Sequence, residues 1–422
     1  MPQTPGTNQW VVSSALDFQT ALNAVETNST LNTIVITRDI ITPGSISGYS
    51  LPKKIAHPSG KLIIQGNNST ISAKVSQSAP LLSRTLSNTS ALGDLNNQIV
   101  INDLNFNGTN AGGTFTSTLE GLRIEGASDV IVNNCNFNSL GKGVILGCVQ
   151  TGYVSNCIVK DIYSIGYTTT STVSWNSAAP FDLLSTYSRN ITFNKCTSDL
   201  KENGLYGFLI EKTANVVLND CIGTSAGTIV HHVLFDSQGG ISNSIYPSGG
   251  DELINNFNIY NITINTPIKR EPDTCGNAPG GLYLGSLIRI KAAGSTNASG
   301  SYAKIDGLHL HPNVSNSLVI NASSAKGFND LYVYNVPYLN AGSEFATDGG
   351  IILANANCAV PPDAGTIWEF KETFDAANIF SSTRWYNDVI PFYRLSDNFS
   401  FSSRSKNYLT NFMRINNKTV SQ

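Results

Sequence analysis

The sequence is short of charge. Of 422 residues, 26 are Lys or Arg and 29 are Asp or Glu, so only 13% are charged, against about 25% in an average soluble protein. The net charge of −3 lacks the basic excess that a nucleic-acid binder needs. No run approaches ~18 uninterrupted apolar residues, which excludes a helical membrane span. Disorder is excluded by the opposite argument, since 41% of the chain is apolar and disorder needs low hydrophobicity with high net charge. Residues 1–30 contain no Lys or Arg, and no apolar core follows Met1. That stretch does not read as a secretory signal peptide. A chain made without a leader and one whose leader was removed read alike here.

Cysteine pairing signals are also missing. Cys135, Cys148, Cys157, Cys196, Cys221, Cys275 and Cys358 are odd in number and contain no C-x-x-C. This argues against a zinc site and a full disulfide framework. The reading calls for no metal and no cofactor.

Asparagine (47) and glycine (36) are abundant, and they recur in a pattern. A short apolar-alternating run, a polar corner, a second such run and a polar residue before Cys repeat from Leu122 to Cys135, Val144 to Cys157 and Phe208 to Cys221. Ile124, Leu146 and Ile210 each precede their Cys by 11 residues. Asn190–Cys196 repeats the second half. Successive Cys of this set lie 22, 39 and 25 residues apart.

Alternation at period 2 over four to six residues marks a strand with one buried face. Strands this short, recurring at this spacing, predict the coils of a parallel β-helix. The 39-residue step reads as a coil with a long insertion. Runs at Leu62, Ile99–Phe106, Phe257–Ile264, Leu287, Ile305–Leu310, Leu318 and Leu331 fit the same scheme. The scarcity of charge then has a cause. Stacked coils hold like positions about 4.8 Å apart, where repeated charges repel, and Asn suits left-handed corners. The in-register cysteines read as small core residues.

An open solenoid needs capped ends. Ser14–Val25 predicts a capping helix, with Leu16, Ala21, Leu22 and Val25 on one face and Ser14/Asp17 as its N-terminal pair. The expected organisation is an N-terminal cap over 1–30, a β-helix over 31–355, and an aromatic-rich C-terminal cap or association module over 356–422. The chain then reads as one long solenoid with caps.

This opening helix, the strand that follows it and Lys61–Ile71 resemble the pectin-lyase-like right-handed parallel β-helix superfamily, over roughly residues 10–340. The resemblance implies an all-β solenoid. It leaves function open, because the superfamily includes lyases, hydrolases, phage tailspikes and non-catalytic surface proteins.

Three insertions, 167–180, 236–252 and 266–281, would wall a groove if they fall on one side. Trp175 and Tyr246 are the candidates to stack on sugar rings, and Asp251, Glu252, Glu271 and Asp273 are the candidate acids; all six also read as solvated loop residues. Arg289-Ile-Lys291 is similar to the Arg-Ile-Lys of the polygalacturonase family, where two cations bind substrate carboxylates. Period 2 puts Arg289 and Lys291 on one strand face. That family's Asn-Thr-Asp, Asp-Asp and Gly-His-Gly are absent, and no carboxyl pair at an inverting hydrolase's ~6.5–9.5 Å is legible. A pectate-lyase reading needs clustered Asp for Ca²⁺, whereas Asp103, Asp129, Asp161, Asp182, Asp199 and Asp220 fall singly, unless stacking gathers them. His231 and His232 should take opposite strand faces, one packed and one solvated.

Three functions fit. The first is a virion surface protein, tailspike- or capsid-surface-like, binding host-surface glycan or other virion proteins, as a homotrimer in the tailspike case. The second is a polysaccharide lyase or glycoside hydrolase acting on an acidic polysaccharide. The third is a cellular surface adhesin. The corresponding location is a virion or the extracellular space.

Overall fold

The computed structural model describes residues 8–44, 47–85, 97–109, 118–170, 188–202, 204–211, 213–227, 231–236 and 256–265, then a set of separate strands up to 391. The chain folds as a right-handed parallel β-helix with an N-terminal helix. It divides into two compact units, residues 1–204 and 205–422.

In the first unit, β1 (Gln9–Val12) leads into the helix α1 (Ala15–Val25). The coils follow as β2 (Thr33–Ile36), β3 (Ile40–Ile41) and β4 (Tyr49–Ser50), then β5 (Lys61–Gln65), β6 (Thr70–Ser72) and β7 (Leu82–Arg84). Next come β8 (Gln98–Asn102), β9 (Asn105–Asn107) and β10 (Glu120–Glu125), then β11 (Asp129–Asn133), β12 (Asn136–Asn138) and β13 (Lys142–Gly147). The last are β14 (Thr151–Ser155), β15 (Ile158–Ile162) and β16 (Ile165–Thr170), with β17 (Ser188–Asn194) and β18 (Thr197–Leu200). Like strands of successive coils pair in parallel, giving three stacks: β2-β5-β8-β11-β14-β17, β3-β6-β9-β12-β15-β18 and β4-β7-β10-β13-β16.

The alternating sequence decides which side chains face inward. In the first stack Leu62, Ile99, Val130, Gly152 and Ile191 form one inward column. Ile64, Ile101, Val132, Val154 and Phe193 form the next, and all five are fully buried. A Cβ at Gly152 would sit 2.7 Å from Ile191 Cδ1, so the Ile191 side chain fills the space the glycine leaves. In the second stack Phe106 and Phe137 lie face to face, centroids 4.6 Å apart and 4° from parallel. Burying one such side chain stabilises the fold by about 1.5–3 kcal/mol.

On four coils the chain turns between the first and second stacks on a single left-handed residue. Asp103, Asn134, Asn156 and Lys195 have φ of 51°, 53°, 51° and 54°. Three of these are Asn or Asp, which tolerate that conformation through local side-chain hydrogen bonds. The residue after each corner turns inward: Leu104, Cys135, Cys157 and Cys196, all fully buried. The Ile158 amide donates to the Cys135 carbonyl at 3.0 Å and the Thr197 amide to that of Cys157 at 2.9 Å, so the three cysteines form a column. None of the five described cysteines forms a disulfide, and all are buried, as the core reading expected. Burial, then the neighbouring Cys157 thiol, push the Cys135 thiol well above its ordinary pKa.

The helix cap is as expected at its start: the Asp17 amide donates to Ser14 Oγ at 3.2 Å. Its buried face differs. Phe18, Ala21, Leu22 and Val25 are buried, while Leu16 is 78% exposed. At about 100° per residue, Leu16 falls nearly opposite Phe18. Phe18 meets the Tyr49 ring edge-on at 4.8 Å. Burial raises the Tyr49 hydroxyl above its ordinary pKa, and it donates to the Ile41 carbonyl at 2.8 Å.

In the second unit, β19 (Tyr206–Glu211), β20 (Thr213–Asn219), β21 (Ile222–Ser225), β22 (His231–Asp236) and β23 (Asn256–Asn265) continue the coil pattern. A short antiparallel pair follows, β24 (Arg270–Pro272) with β25 (Leu282–Leu284). Then come β26 (Ser286–Lys291), β27 (Tyr302–Leu310), β28 (Leu318–Ser323), β29 (Asp330–Tyr334), β30 (Ile351–Ala354), β31 (Trp368–Lys371) and β32 (Ile390–Pro391). Parallel stacks run β19-β22-β26-β28-β30 and β20-β23-β27-β29-β31, and β32 closes antiparallel on β30. Of the expected C-terminal cap or module over 356–422, only β31 and β32 lie within the described residues.

Candidate functional site

The outward side chains of the first stack form three parallel columns across five coils, on β5, β8, β11, β14 and β17. The central column is Ile63, Val100, Ile131, Tyr153 and Thr192. It is apolar through its first three coils and ends in a ring 42% exposed at Tyr153. On one side runs a column of amides and a hydroxyl: Gln65, Asn102, Asn133, Ser155 and Asn194. On the other are Lys61, Gln98, Asp129 and Thr151.

Cross-coil hydrogen bonds hold these groups in place. Asn194 Nδ2 donates to the Tyr153 hydroxyl at 3.1 Å. Ser155 Oγ donates to Asn133 Oδ1 at 2.8 Å, and Asn156 Nδ2 to the same oxygen at 3.1 Å. At the adjoining corner Gln65 Nε2 and Asn134 Nδ2 both donate to the Asp103 carboxylate, each at 2.5 Å. Val100 and Ser155 are buried, at 7% and 3% exposure, so the surface these columns offer is interrupted on β8 and β14.

The third stack carries a different arrangement. Arg123 on β10 binds Glu120 through Nε at 2.6 Å and Nη2 at 2.5 Å, and Glu125 through Nη1 at 2.6 Å. Lys142 on β13 lies 3.6 Å from Glu120. The carboxylate side chains are only 8% and 5% exposed. Burial works against the guanidinium's charge, but the two carboxylates override it and hold its pKa above the ordinary value. Both carboxylates are thus engaged by one arginine. Asp161 is engaged by Lys201 at 2.9 Å.

Several sequence-expected site residues fall outside the described residues: Trp175, Tyr246, Asp251, Glu252 and Asp273. Glu271 lies on β24, opposite Tyr283 in the antiparallel pair. Arg289 and Lys291 do share a strand, β26, in register with Leu234 and Asp236. The expected insertion over 167–180 begins later than expected. Tyr167–Thr170 belong to β16, because three successive β-branched threonines favour a strand, and Tyr167 is fully buried. The rest of that insertion lies outside the described residues. His232 is the packed member of the histidine pair, fully buried. Among the described residues, no group of three or more His, Cys, Asp or Glu side chains is placed to hold a metal ion. No described helix is long and apolar enough to cross a membrane. The three-column face was not singled out in the sequence. Its signal was nevertheless present, since the alternation that turns Val130, Val132 and Val154 inward turns Ile131, Asn133 and Tyr153 outward.

Comparison with known proteins gives a partial match. Residues 10–145 match a family described as "putative pectate lyase-like adhesive domain". No curated protein matches. Among solved structures, the catalytic domain of a GH87 alpha-1,3-glucanase in complex with tetrasaccharides is 13% identical, with a TM-score of 0.49. The match covers 88% of this chain and 65% of that one. By its own strands and pairings the chain is a parallel β-helix, and residues 10–145 are similar to that pectate lyase-like adhesive domain.

Proposed function

We propose that this protein is a glycan-binding adhesive β-helix displayed on the surface of a virion or a cell, and that the three-column face of its first unit is where it binds. The observation that carries this reading is exposed Tyr153 in line with Ile63 and Ile131, with the amides Gln65, Asn102, Asn133 and Asn194 in register beside them. The adhesive-domain similarity of residues 10–145 supports the same reading. Display as a tailspike- or capsid-surface-like component, as a homotrimer, is the finer form of the proposal. Light scattering tests that form, with a stable trimer expected.

The decisive experiment incubates the intact protein with a broad panel of polysaccharides and follows both binding and product formation. Retention of one or more glycans with no new reducing or unsaturated ends is expected. Release of such ends would replace this reading with a lyase or hydrolase, and retention of no glycan would remove it.

A further inference from the structure

We propose that Asn107 and Asn28 are acceptors of N-linked glycan, and that Asn67, Asn68, Asn190 and Asn261, the other Asn-x-Ser/Thr sites with described side chains, are not. The donor is an oligosaccharide carried on a lipid pyrophosphate, as met on a eukaryotic secretory route. This needs only that the chain reach a surface, and it is independent of what the protein itself binds.

The motif alone does not choose among the six. An acceptor needs Asn, a hydroxyl two residues on and a surface position. Geometry separates them. At Asn107 the side-chain oxygen accepts from the Thr109 amide at 3.0 Å and from the Thr109 hydroxyl at 2.8 Å. Asn28 repeats the arrangement, accepting from the Thr30 amide at 2.9 Å and its hydroxyl at 2.8 Å. Such a turn closes within three residues. It needs no neighbouring coil and is open to the chain before stacking. Both Asn are half-buried, and both threonines are exposed. The Asn107 oxygen is turned back on its own motif, and its Nδ2 has no protein partner among the described residues.

At the other four sites a neighbouring coil takes one of the groups. Asn67 Nδ2 donates to the Ile36 carbonyl and Asn190 Nδ2 to the Gln150 carbonyl, each at 3.3 Å. The Thr70 amide, two residues after Asn68, donates to the Asp39 carboxylate at 2.8 Å. The Thr263 amide, two residues after Asn261, donates to the Cys221 carbonyl at 2.9 Å. All four Asn also hold left-handed φ, from 49° to 63°.

The surroundings of Asn107 accommodate a sugar. It stands in an outward column of the second stack, between the short polar side chains Ser72 and Asn138. Ile41, 53% exposed, lies one coil beyond Ser72 in that column. A glycan here lies beside an apolar side chain that the coil leaves uncovered, and on a different stack from Tyr153. In the transfer, Nδ2 attacks C1 of the first sugar. The N–C1 bond forms as the C1–O bond to pyrophosphate breaks, the pyrophosphate leaves with the electron pair, and a proton of the amide passes to a carboxylate of the transferase.

The test maps glycopeptides by mass spectrometry, on the protein isolated from its source and on the intact chain secreted from a eukaryotic cell. Peptide N-glycosidase converts each occupied Asn to Asp and marks it. Asn107 and Asn28 should be occupied in both preparations and the other four bare. Thr109→Ser, which keeps the hydroxyl, should retain the glycan at Asn107. Thr109→Ala should lose it while Asn28 stays occupied, with circular dichroism unchanged. A bare Asn107 or Asn28 in the source protein would overturn the inference, as would equal occupancy of all six sites or an occupied Asn107 in Thr109→Ala. None of these outcomes bears on the glycans that the protein itself retains.

Discussion

His232 is fully buried on β22, and two glycines make the room for it. A Cβ on Gly207 of β19 would stand 2.0 Å from its Nε2, and one on Gly223 of β21 would stand 2.2 Å away. Phe208 lies tilted beside the ring at 6.3 Å. Burial lowers its pKa from 6.5 to about 3. The unfolded chain therefore binds a proton between those values that the folded chain refuses. The stability is fully present above about pH 6.5 and is lost as pH falls toward 3, by at most about 5 kcal/mol. Urea unfolding across this range should show the loss, and His232→Leu should flatten the pH dependence. Either Gly207→Ala or Gly223→Ala should destabilise the unit severely at every pH, since the imidazole has nowhere to go. The sequence indicated one packed histidine in the pair. It did not show the glycines' role, because the three residues meet only after the coils stack.

Among the elements, the corner between the first and second stacks is the most regular. Lys195 holds φ 54° where its counterparts are Asn134, Asn156 and Asp103, and a lysine gains nothing local from that conformation. Lys195→Gly should stabilise by up to about 1 kcal/mol, and Lys195→Val should destabilise by about 1–2 kcal/mol. Thermal melting of the two variants beside the parent checks both signs. Deleting the stacked ring with Phe137→Ala should cost about 3–5 kcal/mol, read from chemical denaturation. These corners were legible as the polar residue before each cysteine, and the strands as alternating runs. The helix face was legible only in part, because Leu16 fits an apolar count but not the angle. Tyr167–Thr170 read as a loop in the sequence because threonine and tyrosine serve strands and loops alike. Packing, not composition, decides between them.

At the scale of the whole molecule, scarcity of charge is a condition of stacking. Asn102 and Asn133 are neighbours in one column. Converting both to Asp puts like charges about 4.8 Å apart, a repulsion of about 1 kcal/mol in water and about 3–4 kcal/mol at an effective dielectric of 20. The double variant should lose more stability than the sum of the singles, and added salt should restore part of the excess. The columns themselves were foreseeable from period-2 alternation. Which outward residues would stand side by side was not, because they look like ordinary polar surface until register aligns them.

Register also decides where this protein can change length. The chain spends 22 residues from Cys135 to Cys157 and 39 from Cys157 to Cys196. Both steps nonetheless advance one coil, with Val132 over Val154 and Val154 over Phe193. Seventeen added residues leave the axial phase untouched. A coil thus behaves like a rung that can be widened without raising the ladder. Additions between Thr170 and Ser188 leave the register of β14 with β17 intact, whereas a single residue added at Asn134 or Asn156 would turn the side chains of the strand that follows to the other face.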